Sequence, residues 1–385
     1  MWSPGSGAAW QRYLATCAGM WEGAEPILAG LPPWPPRRPT AADPAPDPRS
    51  GLRVRPHLTL RQFARGLTDE PRVQQIIERF ATYAGADPRR APAVLALSGY
   101  VEHAFGVWYP GIAGGLHAIP SLLADRAQAR GAQLLFGAPV TGIEASGGRV
   151  RAVRTAAQRV PADAVVFAGD QRTLAALISG APHAAPVVRA RAAALAGRPG
   201  RRAPSVSGLA LLLAVRPSAP TDVHHEIRFC ADYDREFDDV YRRRILPADP
   251  TLYVSVPTVT ERAAGLASAD DLVRWFVLVN APAGLTDDAA DARTAELQER
   301  LGLADGVVAR DRRTPHDLAA ETGTPDGAIY GDAPHGRLAT LRRPGPLVAG
   351  LRGLVRVGGT VHPGGGVPLV MLSGLTAARL VDEAA

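Results

Sequence analysis

The segment VRVGGTVHPGGGVPLVMLSG, residues 355–374, sets glycines at 358, 359 and 364–366 between a short apolar run and a helix-like stretch. Glycine lets a backbone approach a partner so closely that side chains are excluded, and each idle glycine costs about 0.5–1 kcal/mol in lost order. Free N–H groups and the positive end of the following helix suit an electron-rich or developing anionic group. A flavin's pyrimidine edge is one candidate, because donors preorganised there stabilise the charge that reduction brings. A phosphate is the other. The plainer reading is a tight strand–helix connection with no ligand. Three successive glycines after Pro363 weigh against it.

Other chemistry is excluded by composition. All 43 basic residues are arginine. Without lysine there is no Walker A contact to phosphates and no Schiff base for a pyridoxal cofactor. Two cysteines, Cys17 and Cys230, form neither a metal cluster nor a disulfide framework, and they fit a reducing cytoplasm. The net charge of +6 points first to nucleic acid, but the arginines are scattered and alanine, glycine and proline are heavy. Weak attraction to anionic lipid suits that distribution better. No strong acid–base pair stands out. His117, His224 and His225 read as structural or surface histidines, and Asp232, Asp234, Asp238 and Asp239 as a solvated face. His362, inside the glycine loop, is the better candidate for a flavin or substrate contact.

The elements that must position this loop follow from periodicity. Residues 1–30 repeat Trp10, Tyr13, Leu14, Cys17 and Trp21 at helical steps. A proline-rich break at 31–50 precedes two further helical stripes within 58–97, the second capped by Thr68 or Asp69. A helix is expected over about 116–129, ended by Gly131. PVTGIEA and RVRAVRT flank SGG as a hairpin, and ADAVVFAGD (162–170) is a short buried strand. Residues 181–203 read as helical. Four strands follow in SVSGLALLLAV, HHEIRFC, TLYVSVPTV and RWFVLVNAP, forming a separate mixed sheet, and AADARTAELQERLGL (289–303) reads as a helix. A last strand, 354–357, leads into the glycine loop and a helix starting near Pro368. No apolar run approaches the ~20 residues that span a bilayer, and the N-terminus has no signal-peptide pattern.

GVWYPGIAGGLHAI, GAPVTGIEASGGRVRAV, ADAVVFAGD, PTLYVSVPTVTERAAG, VLVNAPAG and VRVGGTVHPGGGVPLVMLSGLTAARLV occur in this order. Together they resemble the bacterial-type phytoene and carotenoid desaturases, FAD-dependent relatives of the amine oxidases. DYDREFDDVYRRRILPADPTLYV with VLVNAPA leans toward the 3,4-desaturases of hydroxylated carotenoids. The resemblance implies an α/β (α+β) fold in three parts. Residues 1–105 would form a helical, membrane-facing lid. Residues 106–180 and 345–385 would form a discontinuous, Rossmann-like FAD-binding domain, and 181–344 an inserted substrate-binding domain. The strand near 164–168 would lie beside that at 354–357. FAD would be held by Gly358, Gly359, Thr360, His362, Gly364, Gly365, Gly366, Val367, Pro368 and Leu369, by Gly114 and Gly115, and by the backbone of Val140 at the adenine. Hydride would leave the polyene to flavin N5 and a proton would leave the neighbouring carbon. The enzyme would be cytoplasmic and peripherally bound to membranes, with Trp10, Trp21 and Trp34 as exposed aromatics.

The family's opening strand–GxGxxG–helix unit has no counterpart here, since GSGAAW follows no strand. The expectation is therefore an N-terminally truncated chain, whose phosphate half comes from an upstream dinucleotide-binding chain or segment. A carotenoid ketolase or isomerase on the same scaffold is one alternative. A non-catalytic fragment that no longer holds FAD is the other.

Overall fold

The apolar stripe near the N-terminus forms α1 (Ser6–Ala29), which buries Tyr13, Leu14, Cys17 and Met20. The computed structural model describes residues 4–30, 50–109, 115–179, 203–216, 222–266, 271–303 and 306–382. The proline-rich break except Ser50, the stretch at 181–203 except Ala203, Trp34 and Gly114 lie outside the described residues. A single turn, α2 (Ser50–Arg53), precedes α3 (Leu60–Leu67), α4 (Pro71–Arg79) and α5 (Leu97–Phe105). Thr59 and Gln62 close a reciprocal capping box on α3. The cap of α4 is Glu70, whose carboxylate accepts from the Arg72 amide, rather than Thr68 or Asp69. Thr68 instead accepts from the Glu70 amide at 3.1 Å. Tyr13, Leu60, Phe63, Val73, Ile77 and Phe80 share one core, each worth about 1.5–3 kcal/mol of burial. Trp10 and Trp21 pack against this core rather than standing free.

A second body begins with α6 (Ala118–Gln128), none of whose residues is buried. The hairpin of β1 (Val140–Ser146) and β2 (Arg149–Thr155) turns through Gly147 and Gly148, at φ of 59° and 71°, which only glycine adopts at little cost. β3 (Arg159–Pro161) adds a third antiparallel strand. β4 (Val165–Phe167) follows, then α7 (Gln171–Ser179). The 207–313 segment forms a five-stranded sheet from β5 (Ser207–Val215), β6 (His225–Arg228), β7 (Leu252–Ser255), β8 (Val273–Ala281) and β9 (Val307–Arg313). Its order is β6-β7-β8-β5-β9. Expected to be mixed, it is antiparallel in every ladder. Val273, Trp275, Val277, Val279 and Ala281 alternate inward on β8, the period-2 pattern of a sheet with one buried face. Between the strands lie α8 (Tyr233–Asp238), α9 (Pro257–Ala263) and α10 (Asp287–Arg300), with Leu297 and Ala290 of α10 in the sheet core. α11 (Pro315–Thr322) leads to the long segment that returns the chain to β10 (Leu354–Arg356) and α12 (Val367–Asp382).

β10 pairs in parallel with β4, Leu354 opposite Val165 and Arg356 opposite Phe167, the adjacency expected from sequence. Ile143 on β1, Leu174 and Ile178 on α7, and Leu351 and Leu354 share one core. This ties the hairpin to the paired strands.

Candidate functional site

Two parallel strands, each running through a loop into a helix, leave a crevice beyond their C-terminal ends. Here the loops are 168–170 and 357–366. They are laced together. The Val357 amide donates to the Phe167 carbonyl at 2.9 Å, and the Gln171 amide donates to Thr360 Oγ1 at 3.0 Å. Asp170, buried at the end of the first loop, accepts from its own neighbour's amide at Arg172 and grips that guanidinium in a two-pronged ion pair, Nη2 to Oδ2 at 2.6 Å. Gly358 has φ of 97°, and its amide donates to Ser373 Oγ at 3.0 Å, anchoring the loop on α12.

The rest of the glycine loop keeps its donors open. Among the described residues, the amides of Gly359, Thr360, Gly364, Gly365 and Gly366 donate no hydrogen bond within the chain. Gly364 and Gly366, at φ of 141° and 106°, hold a backbone that L side chains rarely adopt. Gly364 is buried, Gly359, Thr360 and Gly365 are half-buried and Gly366 is exposed, so these amides at a helix start are open to an acceptor, a ligand or water. The residues present therefore fit an electron-rich ring edge or a phosphate. Val367, Pro368 and Leu369 form the first turn of α12, which begins one residue before Pro368.

Behind the loop stands Tyr330. A Cβ added to Gly365 would lie 2.5 Å from its Cδ1, and one added to Gly85 would lie 2.8 Å from its Cδ2. The phenol ring is thus held between two glycine backbones. Arg343 Nη1 donates to the Gly359 carbonyl at 2.7 Å, and burial pulls its guanidinium below the usual arginine range, opposed by Asp332. Beside these groups opens a cavity of about 510 Å³, lined among others by Gln171, Arg172, Tyr330, Asp332, Arg343 and Thr360, with Arg90, Arg337 and Arg342 at its margin. Arg90, Arg337, Arg342 and Arg343 against Asp332 make it electropositive, Arg172 being paired with Asp170.

Not every expected residue gathers here. His362 is buried, and its Nε2 lies 2.8 Å from the Ile27 carbonyl at the end of α1. A carbonyl only accepts, so that nitrogen carries the proton. Burial pushes the imidazole down to about 4. This ring clamps α1 to the loop. Gly115 has φ of 57°, and an added Cβ would meet nothing within 4 Å. Val140 opens β1 on the body that carries α7. Of the acidic residues expected on a solvated face, Asp232 and Asp234 are exposed and Asp238 is half-buried, and only Asp239 is buried. Asp232 caps α8, Asp234 pairs with Arg61, Asp238 with Arg89, and Asp239 is buried against Arg243. Tyr330, Arg343 and the Asp170–Arg172 pair were not anticipated. RRP ahead of the last strand was the one local signal for Arg343.

The surface around the crevice is incompletely covered. β4 has a single strand partner among the described residues. Val367, Met371 and Leu375 expose an apolar stripe at four-residue steps on α12, and the adjacent Leu122 and Leu123 are exposed on α6.

A family model described as flavin containing amine oxidoreductase matches residues 46–237. The chain is 36% identical over 321 residues to a hydroxyneurosporene desaturase of Rubrivivax gelatinosus, covering 80% of this chain and 58% of that protein. A hydroxyneurosporene desaturase of Rhodobacter capsulatus is 32% identical over 380 residues, covering 97% of this chain and 73% of its own. The chain thus spans less than two thirds of the first relative and about three quarters of the second. Among solved structures, a putrescine oxidase double mutant superposes with a TM-score of 0.56 at 13% identity, over 97% of this chain and 76% of the other, a likeness of fold alone.

Proposed function

The chain belongs to the carotenoid desaturases of the flavin-containing amine oxidoreductase family, and from that membership we propose that it oxidises a carbon–carbon single bond of a hydroxylated acyclic carotenoid with FAD as acceptor. The open amides of Gly359, Thr360 and Gly364–Gly366 carry this reading. They supply donors where a flavin head would gain charge. The arginine-lined cavity beside them suits the phosphate side of the same cofactor. When bound, FAD would supply the two-electron oxidation of the carbon–carbon bond. The chain's own residues hold the ring edge, shape an apolar path for the polyene and exclude water.

In this reading Gly358–Leu369 cradle the flavin, while Gly115 and the backbone of Val140 lie toward its ring and adenine ends. Residues 1–105 form the lid, 106–180 with 345–385 the flavin domain, and 181–344 the substrate domain. The open edge of β4, the apolar stripe of α12 and the exposed leucines of α6 receive a strand–GxGxxG–helix segment, since none occurs within these 385 residues. Substrate enters from a membrane on which the protein rests peripherally, in the cytoplasm. The support is the exposed apolar set at Phe105, Val107, Trp108 and Phe136.

The test is reconstitution. The chain is combined with FAD and a dinucleotide-binding segment from a hydroxyneurosporene desaturase, and hydroxyneurosporene is supplied in detergent. The expected outcome is a yellow complex that converts the polyene to a product absorbing at longer wavelength. A complex that retains flavin and leaves hydroxyneurosporene, neurosporene and phytoene unchanged would overturn the assignment.

A further inference from the structure

Arg79 ends α4 and is only 8% exposed. Its Nη1 is buried without a hydrogen-bond partner, and no carboxylate pairs with it among the described residues. Its neighbour Glu78 is taken by Arg61. Two phenol faces flank the guanidinium instead, Tyr83 with its ring centroid 5.2 Å from Cζ and Tyr253 of β7 at 5.6 Å. Aromatic faces stabilise a cation without using up its N–H donors. The hydroxyl of Tyr233 is buried nearby and likewise has no partner. The Arg79 charge reaches the hydroxyls of Tyr83, Tyr233, Tyr253 and Tyr330, where it opposes the rise that burial causes. Tyr330 is the ring wedged against Gly365. Two phenol faces on one buried arginine therefore join α4 to β7, and the charge they hold reaches the ring behind the glycine loop. Tyr83, 38% exposed, opens this junction to the outside.

A buried charged donor left unpaired is expensive, and a ligand or a water that accepts from it removes that cost. The potential there is already tempered by two π faces and by Glu102, which acts on the Tyr83 and Tyr253 hydroxyls. A neutral acceptor suffices. We propose that Arg79 is a specificity-determining residue that donates to a neutral terminal hydroxyl of the polyene, with Tyr83 and Tyr253 holding the guanidinium in place. This rests on the desaturase reading above and adds to it the group that tells a hydroxylated carotenoid from its hydrocarbon. A site built to hydrogen-bond a hydroxyl rejects the analogue lacking it, because the buried donor then stays unpaired.

The experiment measures binding by quenching of tryptophan fluorescence in the 385-residue chain. Two probes are titrated in the same detergent: an acyclic carotenoid with one terminal tertiary hydroxyl, and the hydrocarbon of identical skeleton. Wild type is expected to favour the hydroxylated probe by about tenfold or more, and Arg79→Met to bring that ratio near one with hydrocarbon affinity kept within about twofold. Arg79→Lys, which keeps the charge without the planar fork, is expected in between. A wild-type ratio near one overturns this proposal and leaves the desaturase reading standing. Parallel weakening of both probes in Arg79→Met also overturns it, because a purely structural arginine would behave so. Binding of neither probe to wild type overturns this proposal, while the desaturase reading stands or falls on the reconstitution. If circular dichroism shows Arg79→Met unfolded, Arg79→Lys and Tyr253→Leu decide, and an unchanged ratio in both overturns the assignment.

Discussion

Gly365 lies flat against the ring of Tyr330, so that the smallest side chain at 365 would fall 2.5 Å from an aromatic carbon. The space behind the glycine loop belongs to a phenol. The loop's amides can then face outward, with Tyr330 and Arg343 setting their plane from behind. Substitution at 365 should thus move the donors as well as crowd the fold.

Gly365→Ala is expected to destabilise the chain by about 1–3 kcal/mol, the usual range for overpacking. Gly365→Val should also abolish flavin retention in the reconstituted complex. Tyr330→Ala opens the space, and the double variant with Gly365→Ala should lose less stability than the two single losses added. Urea unfolding of the four proteins checks this. Strict additivity would show that ring and glycine are not coupled.

The Asp170 carboxylate joins the amide and guanidinium of Arg172 at the end of β4. Asp170→Ala leaves a partly buried arginine unpaired and removes an acceptor at the start of α7. The expected loss is on the order of 2–4 kcal/mol, while Asp170→Asn, which keeps the amide acceptor, should lose less. A midpoint shift in urea smaller for Ala than for Asn would contradict this order.

Periodicity made much of the frame legible. The β1–β2 hairpin declared itself by SGG between alternating runs, and β8 by its period of two. β9 did not, because VVARDRR carries charge on both faces and becomes a strand only through its ladder to β5. The glycine loop was legible as a place where backbone matters. Its supports were not. Tyr330, Arg343 and Arg79 act through contacts across the fold, and no local pattern encodes those. His362 shows the limit most clearly. Its place in the loop marked it as special, yet its ring turns to a carbonyl 335 residues away in the chain.

That burial gives a pH signature. His362 is neutral in the folded chain, pushed down to about 4 from 6.5, and His335 is pushed down to about 4 as well, chiefly by burial. Between those limits the unfolded chain binds protons that the folded chain refuses. Stability is therefore full above about pH 6.5 and falls as pH drops toward 4, by up to ~1.4 kcal/mol per pH unit for each of the two histidines. His362→Gln keeps a donor toward Ile27 and cannot titrate, so its unfolding free energy should fall less steeply across that window. Equal slopes in wild type and variant would remove His362 from the account.

The last prediction concerns the lipid surface. Trp10 and Trp21 belong to the helical core, and among the described residues Trp108 and Phe136, both 87% exposed, are the most exposed aromatics. Indole and phenyl rings favour the headgroup boundary, and scattered arginines add attraction to anionic lipid. Trp108→Ser with Phe136→Ser should reduce flotation with vesicles of phosphatidylglycerol and phosphatidylcholine several-fold. Because both side chains are exposed, the thermal midpoint should stay within about 1–2 °C of wild type. The same double variant separates two fates of this face. If a dinucleotide-binding segment covers it, adding that segment should suppress flotation of the wild-type chain. If it meets lipid, flotation should persist in the assembled complex. A wild-type chain that never floats with any vesicle would sink the peripheral-membrane reading.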